Sequence, residues 1–405
     1  MTPQRFDIVI VGAGLAGSAL AAALGAGPLR VALLEMQPLS LDWPQGDDST
    51  SGFDTRVSAL TAASREWLQQ LGAWEAVAQR RLSPYRHMHV WDGEGTGAID
   101  FDAAEVNQPA LGYIVENRLL QTSLLHCVSH RHNVQVFSPI RVTDFARTDA
   151  GIAVNFEDGR QLLASLLVAA DGANSRVRDW AGFDMREWDY GHHAIVATVA
   201  TELPHADTAW QVFRREGPLA FLPLRTADGG RHLSSIVWST VPDEADELMR
   251  KSDEDFRLAL AAAFESRLGA VTDVSRRQSF PLRARHARRY TQPNIALIGD
   301  AAHTIHPLAG QGINLGLLDA QVLAEELLRA QRRGLAADDE SALARYQRRR
   351  KGDNLLMLGV MEGFKRLFAS TDLSVRWLRN AGLRQVGRFA PARRLLIRQA
   401  MGLQG

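Results

Sequence analysis

The feature that most constrains this chain is a set of three spaced glycines between two short apolar segments near its start. After Asp7, residues 8–11 are apolar and rich in β-branched side chains, as is typical of a strand buried on both faces. They lead into Gly12-Ala13-Gly14-Leu15-Ala16-Gly17, after which an alanine-rich helix is predicted to about Leu24. A second buried strand, residues 31–34, ends at Glu35. This order predicts a Rossmann-like α/β unit that binds a dinucleotide.

Each glycine of this turn has its own expected role. Gly12 permits the tight turn, Gly14 lets the backbone approach a pyrophosphate, and Gly17 lets the helix pack closely on the strand. The free N–H groups and the positive dipole end of the helix face the phosphates. Glu35 is expected to accept hydrogen bonds from ribose hydroxyls. Because an acid disfavours a 2′-phosphate, this site favours FAD or NAD over NADP.

Two further buried strands are predicted far along the chain, and polar residues follow both. Residues 166–170 lead into Asp171 and Gly172, and residues 294–298 lead into Gly299 and Asp300. A glycine-rich loop, residues 306–316, then precedes an apolar helix predicted for about residues 317–328. Since ligands bind at the carboxyl edge of open α/β sheets, we expect these strand ends to lie together. Either aspartate could also cap a helix, and a cap at that edge is still a ligand site.

Length and composition limit the remaining possibilities. A chain of 405 residues predicts two or three domains, and its 46% apolar and 23% charged residues argue against disorder and against a polytopic membrane protein. Cys127 is the only cysteine, which excludes an intrachain disulfide and fits a reducing, cytoplasmic compartment. Residues 8–29 carry no charge and match a membrane span in length, but their five glycines favour a strand followed by a helix.

The net charge is zero overall but unevenly distributed. Residues 341–405 contain 14 Lys+Arg and three Asp+Glu, and residues 376–405 mix seven arginines with apolar side chains and no acid. This mixture suits a helix that lies on anionic lipid or on a partner protein, and a helix docked on the acidic body is the alternative. No recognised nucleic-acid-binding motif accompanies it, so nucleic acid is not an expected partner.

The order of these motifs resembles that of the group A flavoprotein aromatic hydroxylases. G-x-G-x-x-G is followed by D-G-x-x-S-x-x-R from Asp171 and by G-D-A-A-H from Gly299. HPLAGQGINLGLLD, residues 306–319, is similar to the signature of the ubiquinone-biosynthesis hydroxylases within that group, as is Val115-Glu116-Asn117. The likeness spans nearly the whole chain. It is closest to the subgroup that hydroxylates ring carbon 5 of 2-polyprenylphenol, whereas residues 101–105 resemble the subgroup that acts on a methyl-methoxy-benzoquinol.

The resemblance implies that the dinucleotide is FAD. It places Arg56 near the pyrophosphate or the flavin and Asp300 at the ribityl chain, and it places Pro307, Gly310, Gln311 and Gly312 beside the flavin ring. No side chain is assigned as a catalytic acid or base. Where many group A hydroxylases have arginine, this chain and the ubiquinone subgroup have Asn117. The expected FAD-binding residues are Gly12, Ala13, Gly14, Leu15, Ala16, Gly17, Glu35, Met36, Arg56, Ser58, Asn117, Val142, Asp171, Gly172, Gly299, Asp300, Pro307, Gly310, Gln311, Gly312, Ile313 and Asn314.

The activity implied by the resemblance is hydroxylation of a polyprenylphenol-type lipid. NAD(P)H reduces FAD, O2 adds to the reduced flavin, and the hydroperoxide transfers one oxygen to the ring, at carbon 5. The implied partners are a ubiquinone-synthesis protein complex and, through the basic tail, the inner membrane as a peripheral contact. A flavin dehydrogenase or polyprenyl reductase of the same fold, and a non-catalytic subunit, are the alternatives.

The motif positions predict how the domains are arranged. An FAD-binding domain of residues 1–84, 111–182 and 291–333 is interrupted by a β-rich substrate domain of residues 85–110 and 183–290. A basic helical region, residues 334–405, follows. His303 and His306 are expected to cap or pack rather than to bind a metal, because no third ligand stands nearby. The arginines between residues 283 and 289 are expected to form a solvated face, with a nicotinamide-phosphate contact as the alternative.

Overall fold

The structure is a computed structural model that describes residues 3–304, 312–369, 372, 380–382, 385 and 389–402. Its strands are β1 Gln4–Val11, β2 Val31–Leu34, β3 Val57–Leu60, β4 Ser83–Tyr85, β5 His87–Asp92, β6 Ala98–Asp102, β7 Gly112–Glu116, β8 Val134–Phe137, β9 Val142–Thr148, β10 Gly151–Phe156, β11 Gln161–Ala169, β12 Met185–Thr201, β13 Thr208–Arg214, β14 Gly217–Leu224, β15 Leu233–Thr240, β16 Val271–Val274, β17 Gln278–Ala287, β18 Thr291–Gln292, β19 Ile295–Leu297 and β20 His303–Thr304. Its helices are α1 Leu15–Leu24, α2 Ala62–Leu71, α3 Trp74–Ala78, α4 Asn117–Ser129, α5 Arg176–Trp180, α6 Pro242–Arg250, α7 Asp253–Ala263, α8 Gly312–Arg332, α9 Glu340–Ala369 and α10 Ala390–Ala400.

The first sheet has the order β18-β19-β11-β1-β2-β8, and β9 and β10 extend it from β11. β19, β11, β1, β2 and β8 run parallel, and the nearly continuous apolar sequences of β19, β11, β1 and β2 are typical of strands covered on both faces. Residues 8–29 form β1 and α1, as the glycines predicted, rather than one long helix. No helix within the described residues is long and apolar enough to cross a membrane.

The register of the first sheet brings three distant parts of the chain to one edge. Val11 pairs with Ala169, and Ala169 pairs with Leu297, so the carboxyl ends of β1, β11 and β19 are level. Gly12, Asp171 and Gly299 follow these ends within two residues. The predicted convergence of the three motifs is therefore confirmed by the strand pairing.

A second, mainly antiparallel sheet has the order β20-β17-β12-β15-β14-β13-β5-β6. The helices α6 and α7 cover one face, where Phe256 packs with Phe221 and Trp238. The other face contributes Leu222 to a cluster with Ile114 of the small sheet β3-β7-β4. Thus the residues between β11 and β19 build a β-rich layer together with α6 and α7.

The C-terminal region packs on the body in two places. α9 lies against α8, and the side chains of Arg345 and Arg349 form ion pairs with the buried Glu326. In α10, Ile397 is buried and Arg393 forms a two-pronged ion pair with Glu105 at 2.8 Å. The docked-helix alternative is therefore confirmed for one face of α10.

Candidate functional site

The turn after β1 has the geometry that its three glycines predicted. Gly12 has a φ of +103°, and a Cβ there would overlap the carbonyl oxygen of Ala170. A Cβ on Gly17 would overlap the carbonyl oxygen of Gly12, so only glycine lets α1 approach β1 this closely. A Cβ on Gly14, in contrast, would meet nothing within 4 Å. The backbone at Gly14 therefore faces open space at the start of α1, where a pyrophosphate can approach.

Glu35 ties the end of β2 to this turn. One carboxylate oxygen accepts a hydrogen bond from the N–H of Ala13 at 2.9 Å, and the other accepts one from the N–H of Gln37 at 3.0 Å. Each oxygen keeps a second lone pair for a ribose hydroxyl. Met36 beside it is 47% exposed. Val142 begins β9 as a core residue, two positions after Ile140, whose N–H donates to the carbonyl oxygen of Glu35.

The second strand end presents a carboxylate that is only half satisfied. Asp171 Oδ2 accepts hydrogen bonds from the N–H groups of Arg176 and Val177, so this oxygen caps α5. Its Oδ1 is buried and has no hydrogen-bond partner within the described residues. Burial raises the pKa of this carboxyl above its ordinary value, despite the N–H donors that lower it. The adjacent Gly172 has a φ of +84° and open space where a Cβ would lie.

The third strand end joins α1, α8 and an arginine from the small sheet. A Cβ on Gly299, which has a φ of +58°, would lie 3.3 Å from the Ala16 side chain and 3.7 Å from Gly316 Cα. Asp300 is solvent-accessible, yet desolvation by the surrounding protein raises its pKa, and the charges of His303 and, to a smaller extent, Arg56 partly counteract this. Arg56 is therefore near enough to Asp300 for its charge to act on that carboxyl, and its place beside the cofactor stays a prediction.

Arg56, Ser58 and Asn117 lie together, because β3 pairs with β7 directly before α4. The Asn117 N–H donates to the Arg56 carbonyl oxygen at 3.0 Å, and Ser58 Oγ donates to Asn117 Oδ1 at 2.6 Å. One helical turn later, Gln121 Nε2 donates to the Ala13 carbonyl oxygen at 2.7 Å. Sequence reasoning missed Gln121, although its i+4 spacing from Asn117 puts both on one face of α4.

The start of α8 is fixed by a side chain rather than by its backbone alone. Asn314 Oδ1 accepts from the Thr61 N–H at 3.0 Å, and Asn314 Nδ2 donates to the Ala59 carbonyl oxygen at 2.8 Å. Ile313 packs on the core, and a Cβ on Gly312 would meet open space. Pro307, Gly310 and Gln311 lie outside the described residues, as does His306.

Two interpretations of charged residues have different outcomes. His303 is buried and its Nε2 lies 2.6 Å from Asp319 Oδ2, in the packed position that was expected. The solvated face expected for residues 283–289 is wrong for Arg285. Its guanidinium is half-buried and donates to the Ala173 carbonyl oxygen and to Asn174 Oδ1, because the loop after β11 folds over β17.

The donor set fits FAD. Open backbone cradles at Gly14, Gly172 and Gly312 can receive phosphate or ring atoms, Glu35 can accept from ribose hydroxyls, and the accessible Asp300 can accept from further hydroxyls. The buried Oδ1 of Asp171 has no hydrogen-bond partner within the described residues, and a donor from a ligand or from an ordered water can supply one. We expect these groups to hold an elongated molecule across the three strand ends.

Comparisons with known proteins agree with this geometry. Residues 5–353 match the sequence model of a family described as FAD binding domain. The chain is 38% identical over 403 residues to the 3-demethoxyubiquinol 3-hydroxylase of Escherichia coli, covering 100% of both chains. It is 37% identical over 400 residues to the ubiquinone hydroxylase UbiL of Rhodospirillum rubrum, covering 98% of this chain and 89% of that one. The solved structure of PqsL, a probable FAD-dependent monooxygenase from Pseudomonas aeruginosa, superimposes with a TM-score of 0.77 at 26% identity, covering 94% and 100% of the two chains.

Proposed function

Because the chain belongs to the FAD-dependent monooxygenase family that includes the ubiquinone-biosynthesis hydroxylases, we propose that it hydroxylates the aromatic ring of a polyprenylated phenol or quinol. FAD is the cofactor of this family. We propose NAD(P)H as the electron donor, so that one O2, one NAD(P)H and one proton convert a ring C–H into a ring hydroxyl and yield one water and NAD(P)+. The observation that carries the proposal is the level alignment of three strand ends that bear the motifs of this family.

The proposed roles of the residues follow from their positions. Gly14 and the first turn of α1 hold the pyrophosphate, and Glu35 holds the adenosine ribose. Asp300 accepts from the ribityl hydroxyls, while the charge of Arg56 compensates its desolvated carboxylate. The first turn of α8 lies against Gly299, so its positive dipole end stabilises electron-rich ring atoms.

Bound FAD supplies the redox chemistry that divides the two atoms of O2 between the substrate ring and water. The protein positions the ring and excludes bulk water from the reacting atoms. The face of the second sheet that carries Leu222, Leu224 and Leu233 packs on the small sheet, whose first strand Arg56 directly precedes. This packing fixes the β-rich layer, which we propose holds the substrate, relative to Arg56.

Two ring positions are candidates. The resemblance in the sequence motifs points to ring carbon 5 of 2-polyprenylphenol. The Escherichia coli relative, named a 3-demethoxyubiquinol 3-hydroxylase, supports instead a quinol that lacks one methoxy group. Because that relative matches the chain over its full length, we propose the demethoxylated quinol first and the ring-carbon-5 phenol second.

Complementation distinguishes these candidates. The chain is expressed in two Escherichia coli strains, one lacking the demethoxyubiquinol hydroxylase and one lacking the ring-carbon-5 hydroxylase, and quinones are profiled by mass spectrometry. Restored ubiquinone in the first strain supports the first candidate, and restoration in the second strain alone supports the second. If neither strain recovers, and purified protein consumes NADH or NADPH without hydroxylated product, the hydroxylase proposal is wrong. The Asp300→Asn variant, expressed at the same level, is the control: it should restore less ubiquinone because it retains less flavin.

A peripheral contact with the inner membrane, from the cytoplasm, is proposed for the open face of α10. Ile397 fixes the helix to the body, whereas Leu395 and Leu396 are 66% and 43% exposed beside the exposed Arg394 and Arg398. Apolar and cationic side chains on one face suit an anionic lipid surface, where a lipid substrate resides.

Co-sedimentation with vesicles tests this contact. Leu395→Ser is expected to reduce binding to vesicles that contain anionic lipid. The control, Leu258→Ser, changes a 65% exposed leucine on α7 and is expected to have no effect. Equal binding of both variants would contradict the contact. Loss of binding to a ubiquinone-synthesis protein, with vesicle binding unchanged, would assign the same face to a protein partner.

A further inference from the structure

A buried ionic network lies directly behind the strand end that carries Asp300. At its centre is Asp319 on α8, which is fully buried. Asp319 Oδ2 accepts from the Gly299 N–H at 3.0 Å and lies 2.6 Å from His303 Nε2. Asp319 Oδ1 accepts from Arg350 Nε at 2.8 Å. The carboxylate therefore binds the residues on both sides of Asp300 with one oxygen and α9 with the other.

Arg350 supplies a counter-charge from a helix that starts 40 residues beyond Asp300. Its side chain is 1% exposed, and its other nitrogens donate to Asp353 and to Asn354. Burial raises the pKa of Asp319, but His303 and Arg350 outweigh it, so the pKa lies below its ordinary value. Asp319 is thus an anion held by Arg350 and His303. Loss of one partner from a buried pair leaves the other charge uncompensated.

The network continues into the second sheet. Asn354 Nδ2 donates to the Tyr290 hydroxyl at 3.0 Å, and that hydroxyl lies 3.0 Å from His286 Nε2. His286 pairs with His303 across β17 and β20. The same buried groups therefore connect α9, the turn that carries Asp300 and the β-rich layer proposed for substrate.

We propose that Arg350 is a positioning residue for FAD. Through Asp319 it fixes the Gly299 N–H and His303, and thereby holds the turn that presents Asp300 to the cofactor. Its described hydrogen-bond partners are Asp319, Asp353 and Asn354, and none of these is among the residues expected to bind FAD, so its effect passes through the carboxylate of Asp319. The inference depends on FAD binding and not on which ring is hydroxylated.

The chain offers a matched control between the same two helices. Arg349 on α9 pairs with Glu325 and Glu326 of α8, and it is about 42% exposed. Removal of Arg349 weakens the packing of α9 on α8 without touching Asp319. Because Arg350 is buried and Arg349 is exposed, a merely structural role for Arg350 predicts a larger loss of thermal stability from Arg350, with unchanged flavin affinity and potential. A positioning role predicts a change in flavin affinity and potential from Arg350 alone.

The experiment compares Arg350→Met, Arg350→Lys and Arg349→Met in the full chain. The dissociation constant for FAD and the midpoint potential of the bound flavin are measured, together with thermal unfolding of the apo-protein. Arg350→Met is expected to weaken FAD binding by at least roughly tenfold. It is also expected to make the potential more negative, because the uncompensated Asp319 disfavours added electrons. Arg350→Lys should retain part of the FAD affinity and of the wild-type potential, and Arg349→Met should change neither the affinity nor the potential.

If Arg350→Met does not fold, the double variant Asp319→Asn/Arg350→Met, which lacks both charges, is measured instead of the single variant. If the double variant folds and binds FAD more weakly than the wild type, the proposal is supported. Folded Arg350→Met, or the folded double variant, with wild-type FAD affinity and potential would overturn it. Equal losses in Arg349→Met would also overturn it. Wild-type protein that binds no FAD would refute the proposed function itself, which keeps the two failures distinct.

Discussion

Replacement of Gly14 by alanine separates cofactor binding from folding. Gly14 has a φ of −67° and a ψ of −175°, which alanine adopts without strain, and its added Cβ would meet nothing within 4 Å. The free energy of unfolding of the apo-protein should therefore change by less than about 1 kcal/mol, because a gain of about 0.5 kcal/mol from the restricted unfolded chain is offset by alanine being a poorer N-cap of α1 than glycine. The new methyl group occupies the space where the pyrophosphate must approach.

A misplaced methyl group in a close contact costs about 1–3 kcal/mol. For FAD, this corresponds to a dissociation constant raised by about 5-fold to 150-fold. Titration of apo-protein with FAD, followed by flavin fluorescence, measures the affinity, and denaturation of the apo-protein measures the stability.

Gly17→Ala is the matched control, because its Cβ would overlap the Gly12 carbonyl oxygen. It should destabilise the apo-protein by about 1–3 kcal/mol or more. An unchanged FAD affinity in Gly14→Ala would refute the assignment of this backbone to the pyrophosphate.

Three further changes have defined outcomes. Glu35→Gln should weaken FAD binding several-fold in titration, because both carboxylate oxygens accept N–H bonds and glutamine has only one acceptor oxygen, so the bond from Ala13 or the bond from Gln37 is lost; unchanged affinity would contradict this. Asp300→Asn should stabilise the apo-protein at neutral pH, because the desolvation that raises the pKa of the carboxyl penalises its charged form. The same variant should retain less flavin, and full flavin content would exclude the ribityl role. Burial lowers the pKa of His205 to about 4, so between pH 6.5 and about 4 the unfolded chain binds more protons than the folded protein. As the pH is lowered through this range, His205 should therefore reduce the free energy of unfolding by roughly 1.4 kcal/mol per pH unit. His205→Gln should show a shallower fall by denaturation, and an identical slope would contradict the lowered pKa.

The sequence allowed prediction of the elements whose signals are local. The three strand ends were predicted because each apolar run and the glycine or acid that follows it lie within a few residues of one another. Their convergence followed from a general property of parallel sheets, and the pairing of Val11, Ala169 and Leu297 confirms it.

Residues whose role depends on tertiary partners could not be predicted. Arg350 and Asp319 are 31 residues apart on two helices, and no local pattern connects them. Arg285 was expected in solvent because no periodicity reveals that the loop at Ala173 covers it. In α10, Ile397 is buried while the adjacent Leu396 is exposed, although their side chains are equally apolar.

The most direct test is a titration of purified apo-protein with FAD, by calorimetry and by flavin absorbance. We predict one FAD per chain, and weaker binding in variants of each strand end, Gly14→Ala, Asp171→Ala and Asp300→Asn. Protein that stays colourless with excess FAD, or variants of only one strand end that affect the affinity, would contradict a cofactor held by all three.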